Sequence, residues 1–317
     1  MKPEVAVGRR RLLAVSLVAL AGTVALLTVG VGTVVAAAAG AASQEEGCLA
    51  CHGAAGLTLT LPGGESLPIS VDPAVLRRST HGSALTCATC HPDHTRYPHP
   101  PLTARTLRDY RVARAQICTT CHSQEAGQFA GSIHGRALVM GFPDVPTCTS
   151  CHGAHDVVRA SAPAFRNNTP QLCGTCHGDP QIMARYGLLP VYEAYTREFH
   201  GVTTALYKLT KPYSPTPAAI CYDCHGVHDI KDTEDPAAPV APRNILTTCR
   251  RCHPTAGRFF ASAWTEHKTP GPGASPLVWY VQIFYRVLIP AVLGFLAVLT
   301  VLDLSRWAGD RLKGRPR

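Results

Sequence analysis

All fourteen cysteines of this chain fall inside seven Cys-x-x-Cys-His segments. Their first cysteines are Cys48, Cys87, Cys118, Cys148, Cys173, Cys221 and Cys249. Their second cysteines are Cys51, Cys90, Cys121, Cys151, Cys176, Cys224 and Cys252. His52, His91, His122, His152, His177, His225 and His253 follow at once. The spacing suits covalent attachment of one c-type haem at each: two thiols add to the porphyrin vinyls and the next residue ligates the iron. A Cys-x-x-Cys pair alone would equally suit a zinc site, a redox dithiol or a disulfide. None of those needs His at the next position, and His stands there seven times out of seven. The sequence therefore calls for seven c-type haems, and for electron transfer as the chemistry such a chain performs.

Fifteen His are present, so eight remain beyond the proximal ones. Seven of the eight recur with the motifs and are the candidate distal ligands: His81, His94, His134, His155, His200, His228 and His267. Four follow a single motif at a distance, in Ser-x-His-Gly or Phe-His-Gly contexts or, for His267, after Trp264-Thr265-Glu266. The other three stand three residues after a proximal His: His94 after His91, His155 after His152, His228 after His225. His99, in His-Pro-Pro, breaks the series and is expected to be a loop or outer residue. Methionine ligation would raise a haem's potential, but Met140 and Met183 lie outside the recurring positions and are expected to fill apolar space.

Single and doubled motifs alternate along the chain, giving three two-haem repeats and one closing unit. Over about residues 47–268 this pattern resembles the multihaem cytochromes of the doubled-CXXCH type, related to the class III cytochromes. The resemblance implies low-potential, mostly bis-histidine haems, packed closely enough for electrons to pass between neighbours. The chain departs from the N-terminally anchored quinol dehydrogenases that carry fewer haems. Their Met two residues after a proximal His is replaced by Ala54 and Asp93 in the first two motifs.

Positioning so many haems leaves little polypeptide for anything else. The region 43–276, the expected heptahaem domain, has about 33 residues per haem. Porphyrin surface must supply much of what is buried. Pro and Gly are frequent and long apolar periodicities are absent. The expected fold is mostly α with much irregular coil: short helices and loops around stacked haems, almost no sheet, and two flanking transmembrane helices.

Those flanks are apolar. Residues 1–42 are expected to form an N-terminal membrane anchor, with a run from Leu12 to Ala42 behind Arg9-Arg10-Arg11. A cleaved signal peptide is the competing expectation, but its apolar core is shorter, about 7–15 residues, and this run is long enough to span. Residues 277–304 are expected to form a second transmembrane helix. Trp279, Tyr280, Phe284 and Tyr285 gather near its start, Trp307 lies beyond its end, Pro290 is expected to kink it and Arg286 to want the interface or an acidic partner. A basic cytoplasmic tail, 305–317, follows. Basic residues at both ends put both termini in the cytoplasm of a bacterial cytoplasmic membrane and the haem region on the periplasmic side.

The net charge of +9 is carried mostly by these flanks: residues 1–42 contribute +3 and 277–317 contribute +4, leaving +2. Haem propionates would turn the haem region negative, so a nucleic-acid partner is excluded. Expected partners are the membrane itself, an integral quinol-oxidising or cytochrome b-like subunit, and other redox proteins as acceptors. No catalytic residue is expected. The competing class is a multihaem reductase of nitrite, hydroxylamine or tetrathionate type, which would need one open iron site and proton-handling groups such as Arg96, Tyr97, His99, Tyr110 and Arg111.

Overall fold

The computed structural model describes residues 46–82, 84–261, 267–268, 270–273 and 275–312. The expected N-terminal anchor and the Trp264-Thr265-Glu266 context of His267 lie outside them, as does the end of the basic tail. The chain forms two compact units, one ending at Phe165 and one beginning at Arg166. This division falls within the expected haem region.

In the first unit a helix α1 covers residues 46–52. A short antiparallel hairpin follows, β1 (Thr58–Thr60) and β2 (Ser66–Pro68), with Leu59 opposite Leu67. Then come α2 (Pro73–Arg78), α3 (Cys87–Cys90), a 3-10 turn (Pro92–His94), α4 (Leu107–Cys118), α5 (Ser123–Gly131), α6 (Ile133–Val139) and α7 (Cys148–His152). Asp72 caps α2 by accepting from the Ala74 amide, with Pro73 at the first helical position. Thr106 and Asp109 form a capping box on α4. Glu65 in the hairpin turn accepts from the Leu107 amide at 2.8 Å, and Gly63 donates to the Arg105 carbonyl, so the hairpin is tied to the start of α4.

Helix α8 (Pro163–His177) belongs to the second unit from Arg166 onward, followed by α9 (Pro180–Tyr186), α10 (Val191–Arg197), α11 (Phe199–Thr210), α12 (Cys221–His225), α13 (Ile245–Arg250) and α14 (Pro276–Leu312). Polar contacts stitch this unit. Arg166 makes a two-toothed ion pair with Asp223 and donates to the carbonyls of Thr216 and Ala218. Asn167, buried, donates to Ser214 O and accepts from the Thr216 amide, both at 2.8 Å. The Tyr195 hydroxyl donates to Ala219 O.

The expected class, helices and coil with very little sheet, is what the described residues show. The polypeptide core is thin. Six of the ten buried hydrophobic residues among the described ones are Ala, beside Leu61, Leu67, Tyr195 and Ile220.

The 37-residue helix α14 is long and apolar enough to cross a membrane. At about 1.5 Å per residue it extends roughly 55 Å, beyond a hydrocarbon core of about 30 Å. It continues past the expected end at 304 into the basic tail, where Arg311 stacks over Trp307. Pro290 lies inside it.

Candidate haem-binding site

Residues i, i+3 and i+4 of one helical turn share a face, so a Cys-x-x-Cys-His segment presents two thiols and an imidazole on one side only if it is helical. The chain makes it so, in two ways that follow the alternation of the sequence. The single motifs sit at the ends of helices: residues 48–52 in α1, Cys118 closing α4, His177 closing α8, Cys249 near the end of α13. The doubled motifs form isolated one-turn helices, α3, α7 and α12.

A single turn is poorly stable alone, and each doubled motif carries the same remedy. The second residue between its cysteines accepts the backbone N–H of the residue before the motif: Thr89 from Thr86 at 3.3 Å, Ser150 from Thr147 at 3.0 Å, Asp223 from Ile220 at 2.8 Å. The proximal amides close the turn, as in His91 N–H to Cys87 O at 2.8 Å and His253 N–H to Cys249 O at 2.9 Å.

Within each motif the two thiols differ in exposure. The first cysteines, from Cys48 to Cys249, are all half-buried. Of the second cysteines, Cys51, Cys90, Cys121, Cys151 and Cys252 are exposed, while Cys176 and Cys224 are half-buried. None of the fourteen is joined to another in a disulfide. The polypeptide packs against the first sulfur of a turn and leaves the second on its open side, where a porphyrin edge has room to lie. Cys176 and Cys224, in the second unit, depart from that rule.

The isolated His after single motifs occupy a second recurring device, a helix ended by a sharp break, with a new helix at once in two of the three cases. His81 follows α2 across Ser79; His134 opens α6 after α5; His200 opens α11 after α10. The residue two before each His marks the break: Ser79 contacts the His81 amide, Ser132 caps α6 by accepting from Gly135, and Glu198 stands at the third. The Gly after each His is required by close approach. A Cβ on Gly82, Gly135 or Gly201 would collide with a carbonyl oxygen six residues earlier, that of Leu76, Phe129 or Tyr195. His267 has no such Gly and takes φ 55° instead.

Several of these imidazoles face proximal ones at a telling distance. Metal–imidazole bonds of about 2 Å on both faces, with about 1 Å from each nitrogen to its ring centre, separate two rings around one iron by about 6 Å. His81 and His122 are 6.1 Å apart between ring centres, His91 and His155 6.2 Å, His200 and His253 6.3 Å, and His225 and His267 6.5 Å. The ligand of each pair comes from a different repeat element than the motif it faces. His94 lies near its own motif, 6.2 Å from His91. His134 and His228 occupy the starts of α6 and of the segment after α12.

His99, left aside on sequence grounds, has its ring 6.1 Å from that of His52. No repeat position marks it, so only three-dimensional proximity could find it. Burial, first, and neighbouring imidazoles push His91 and His225 down to about 4, which keeps them neutral as ligation requires.

The thiols show which motifs are neighbours. Cys118 lies against Cys148, and Cys173 against Cys221; in each pair the earlier thiol is pushed up by the hydrogen bond to the later one. Cys90 is raised by burial and then by Cys118 and Cys121, and Cys224 is raised to about 11 by burial and then by Cys249. Motifs 87, 118 and 148 are thus contiguous in the first unit, and 173, 221 and 249 in the second. Motifs 118 and 148, and 173 and 221, meet through their first cysteines, whereas Cys90 and Cys224 are second cysteines that face the following motif.

The residues fit haem. Donors gather as facing imidazole pairs beside helical thiol pairs, and among the described residues no three His, Cys, Asp or Glu cluster as a zinc site would need. Large apolar side chains stand exposed, among them Leu206, Leu209, Phe259 and, next to His200, Phe199, while the buried hydrophobic residues are mostly Ala. A flat apolar cofactor would cover such surfaces.

Residues 144–181, which contain the motifs at Cys148 and Cys173, match the doubled CXXCH motif family. No curated protein and no solved structure matches the chain. Motif chemistry and this match together support a multihaem c-type cytochrome. Its cysteine pairs hold haem covalently, and haem so held is suited to electron transfer.

Proposed function

We propose that this chain is a membrane-anchored heptahaem cytochrome that relays electrons from the quinone pool, directly or through a quinol-oxidising or cytochrome b-like membrane subunit, to periplasmic or extracellular acceptors. The observation that carries the proposal is the set of proximal imidazoles faced by a second imidazole about 6 Å away. Haem iron with both faces so capped supplies one-electron transfer and keeps no open position for a substrate.

The chain's own residues do four things. The thiols and the proximal His of each motif would hold a haem. Distal His from other elements would ligate it as well and so cross-link the fold. Backbone carbonyls orient the rings, as Ile69 O does by accepting from His52 Nδ1 at 2.7 Å. Exposed apolar side chains cover porphyrin and exclude water. Contiguous motifs within each unit supply rows along which electrons step, and α14, with the N-terminal run, holds them at the membrane.

Of the proton-handling groups that a reductase would need, His99 faces His52 with ring centres 6.1 Å apart, which favours the carrier. The test is the mass and the spin state of the purified holoprotein. Seven covalent haem increments and purely low-spin ferric signals are expected. A high-spin haem that binds nitrite or hydroxylamine and turns it over would replace the carrier with an enzyme.

A further inference from the structure

We propose that His99, outside the repeat, supplies the distal ligand to the haem of the first motif, which leaves His94 as the histidine outside ligation. The assignment rests on haem being held at these motifs.

Ring geometry is the first support. The His52 and His99 rings lie 6.1 Å apart with 31° between their planes, within the spread of the other facing pairs. His94 lies by its own motif, its ring centre 6.2 Å from that of His91 with the planes at 82°.

Tautomers are the second. His52 Nδ1 lies 2.7 Å from Ile69 O, and His99 Nδ1 lies 2.8 Å from Arg96 O. A carbonyl only accepts, so each Nδ1 carries its proton and each Nε2 is left with a lone pair. An imidazole that ligates through one nitrogen and donates to a carbonyl through the other is the arrangement metal-binding His adopt. Both rings have it.

The order of ligation is the third. His81, which follows the first single motif, faces the second at His122, and His200, which follows the third, faces the fourth at His253. His155, from the second doubled motif, faces the first at His91. Distal ligands are thus handed on by one repeat within each class. The first single motif has no earlier repeat to draw on, so its second ligand must come from outside the series. At the other end of the chain His225 is served by the equally irregular His267.

His94 itself departs from its counterparts. After His152 and His225 the chain reads Gly-x-His-Asp, with the Gly at φ 78° and 89°. After His91 it reads Pro-Asp-His-Thr, a 3-10 turn in which His94 Nδ1 is 2.8 Å from Asp93, itself gripped by Arg114. The Asp93–Arg114 pair by itself ties this turn to α4.

The test uses the full-length holoprotein in detergent, as wild type, His99→Ala, His99→Met and His94→Ala. His99 is exposed, so its variants leave the fold in place. His99→Ala is expected to keep every covalent haem by mass while one haem per chain turns from low to high spin in ferric spectra. His99→Met is expected to restore six-coordination with a thioether-to-iron band and a raised potential at one haem. His94→Ala is expected to leave all haems low-spin. Unchanged spectra in both His99 variants of a fully loaded chain, or a high-spin haem in His94→Ala instead, would overturn the assignment alone. A colourless wild type would overturn it together with the proposed function.

Discussion

Single side chains in this protein do work that a larger core would share. Tyr195 is 7% exposed and hydrogen-bonded through its hydroxyl, and burial raises its pKa to about 12. An unfolded tyrosine ionises near pH 10. Its contribution is therefore complete below pH 10 and is lost as the pH rises towards 12, an effect of order 2 kcal/mol. Denaturant titration of wild type and Tyr195→Phe across that range should show the wild type losing stability more steeply. If the two curves stay parallel, the buried phenol is not titrating as described. At this scale the sequence was most legible where chemistry is local, because thiols and His at fixed spacing can be read without a fold. The unequal exposure of the two thiols in a motif was not legible, since it depends on what packs behind the turn. Nor was His99, because its partner is distant in the chain and its neighbours Pro98 and Pro100 look like any loop.

Among the elements, legibility followed repetition. The alternation of single and doubled motifs is also an alternation of helix ends with isolated turns. The Ser-x-His-Gly context proved to be a helix break with a glycine at a backbone contact. The capping of the one-turn helices by the second residue between the cysteines could have been read from Thr89, Ser150 and Asp223, all good acceptors, yet only the folded turn shows what they accept. The two-stranded hairpin was not foreseen, since three-residue strands leave no periodic signal. Gly135→Ala forces a Cβ into the Phe129 carbonyl and should cost about 1–3 kcal/mol. Gly127→Ala, in α5 with nothing within 4 Å of the new atom, should stabilise by about 0.5–1 kcal/mol. Thermal unfolding of the two holoproteins checks the contrast, and equal effects would mean that the break at His134 is not held by that glycine.

For the whole molecule, two compact units and a long apolar helix meet a sequence whose charge is concentrated at its ends. The division at Phe165 and Arg166 was hidden because motif spacing runs through it without a pause, and α8 carries both residues. The C-terminal helix was plain, apolarity over that length having few other uses. If the N-terminal run is a second anchor, deleting residues 276–317 should leave the haem region in the membrane fraction, and removing residues 1–42 as well should release it. Release by the first deletion alone would leave α14 as the one attachment.

The handing-on of ligands has a consequence for assembly. If ligands are handed on as proposed, a haem region exported in chain order would present His81 before the motif at His122, and that iron could be closed on both faces as soon as it is attached. The iron on His91 would then stay half-dressed until His155 had emerged, and the earlier half of the protein would depend for its completion on the arrival of what is made after it. A truncated product would then be more than a shorter wire, because it would carry an exposed, reactive metal at its broken end.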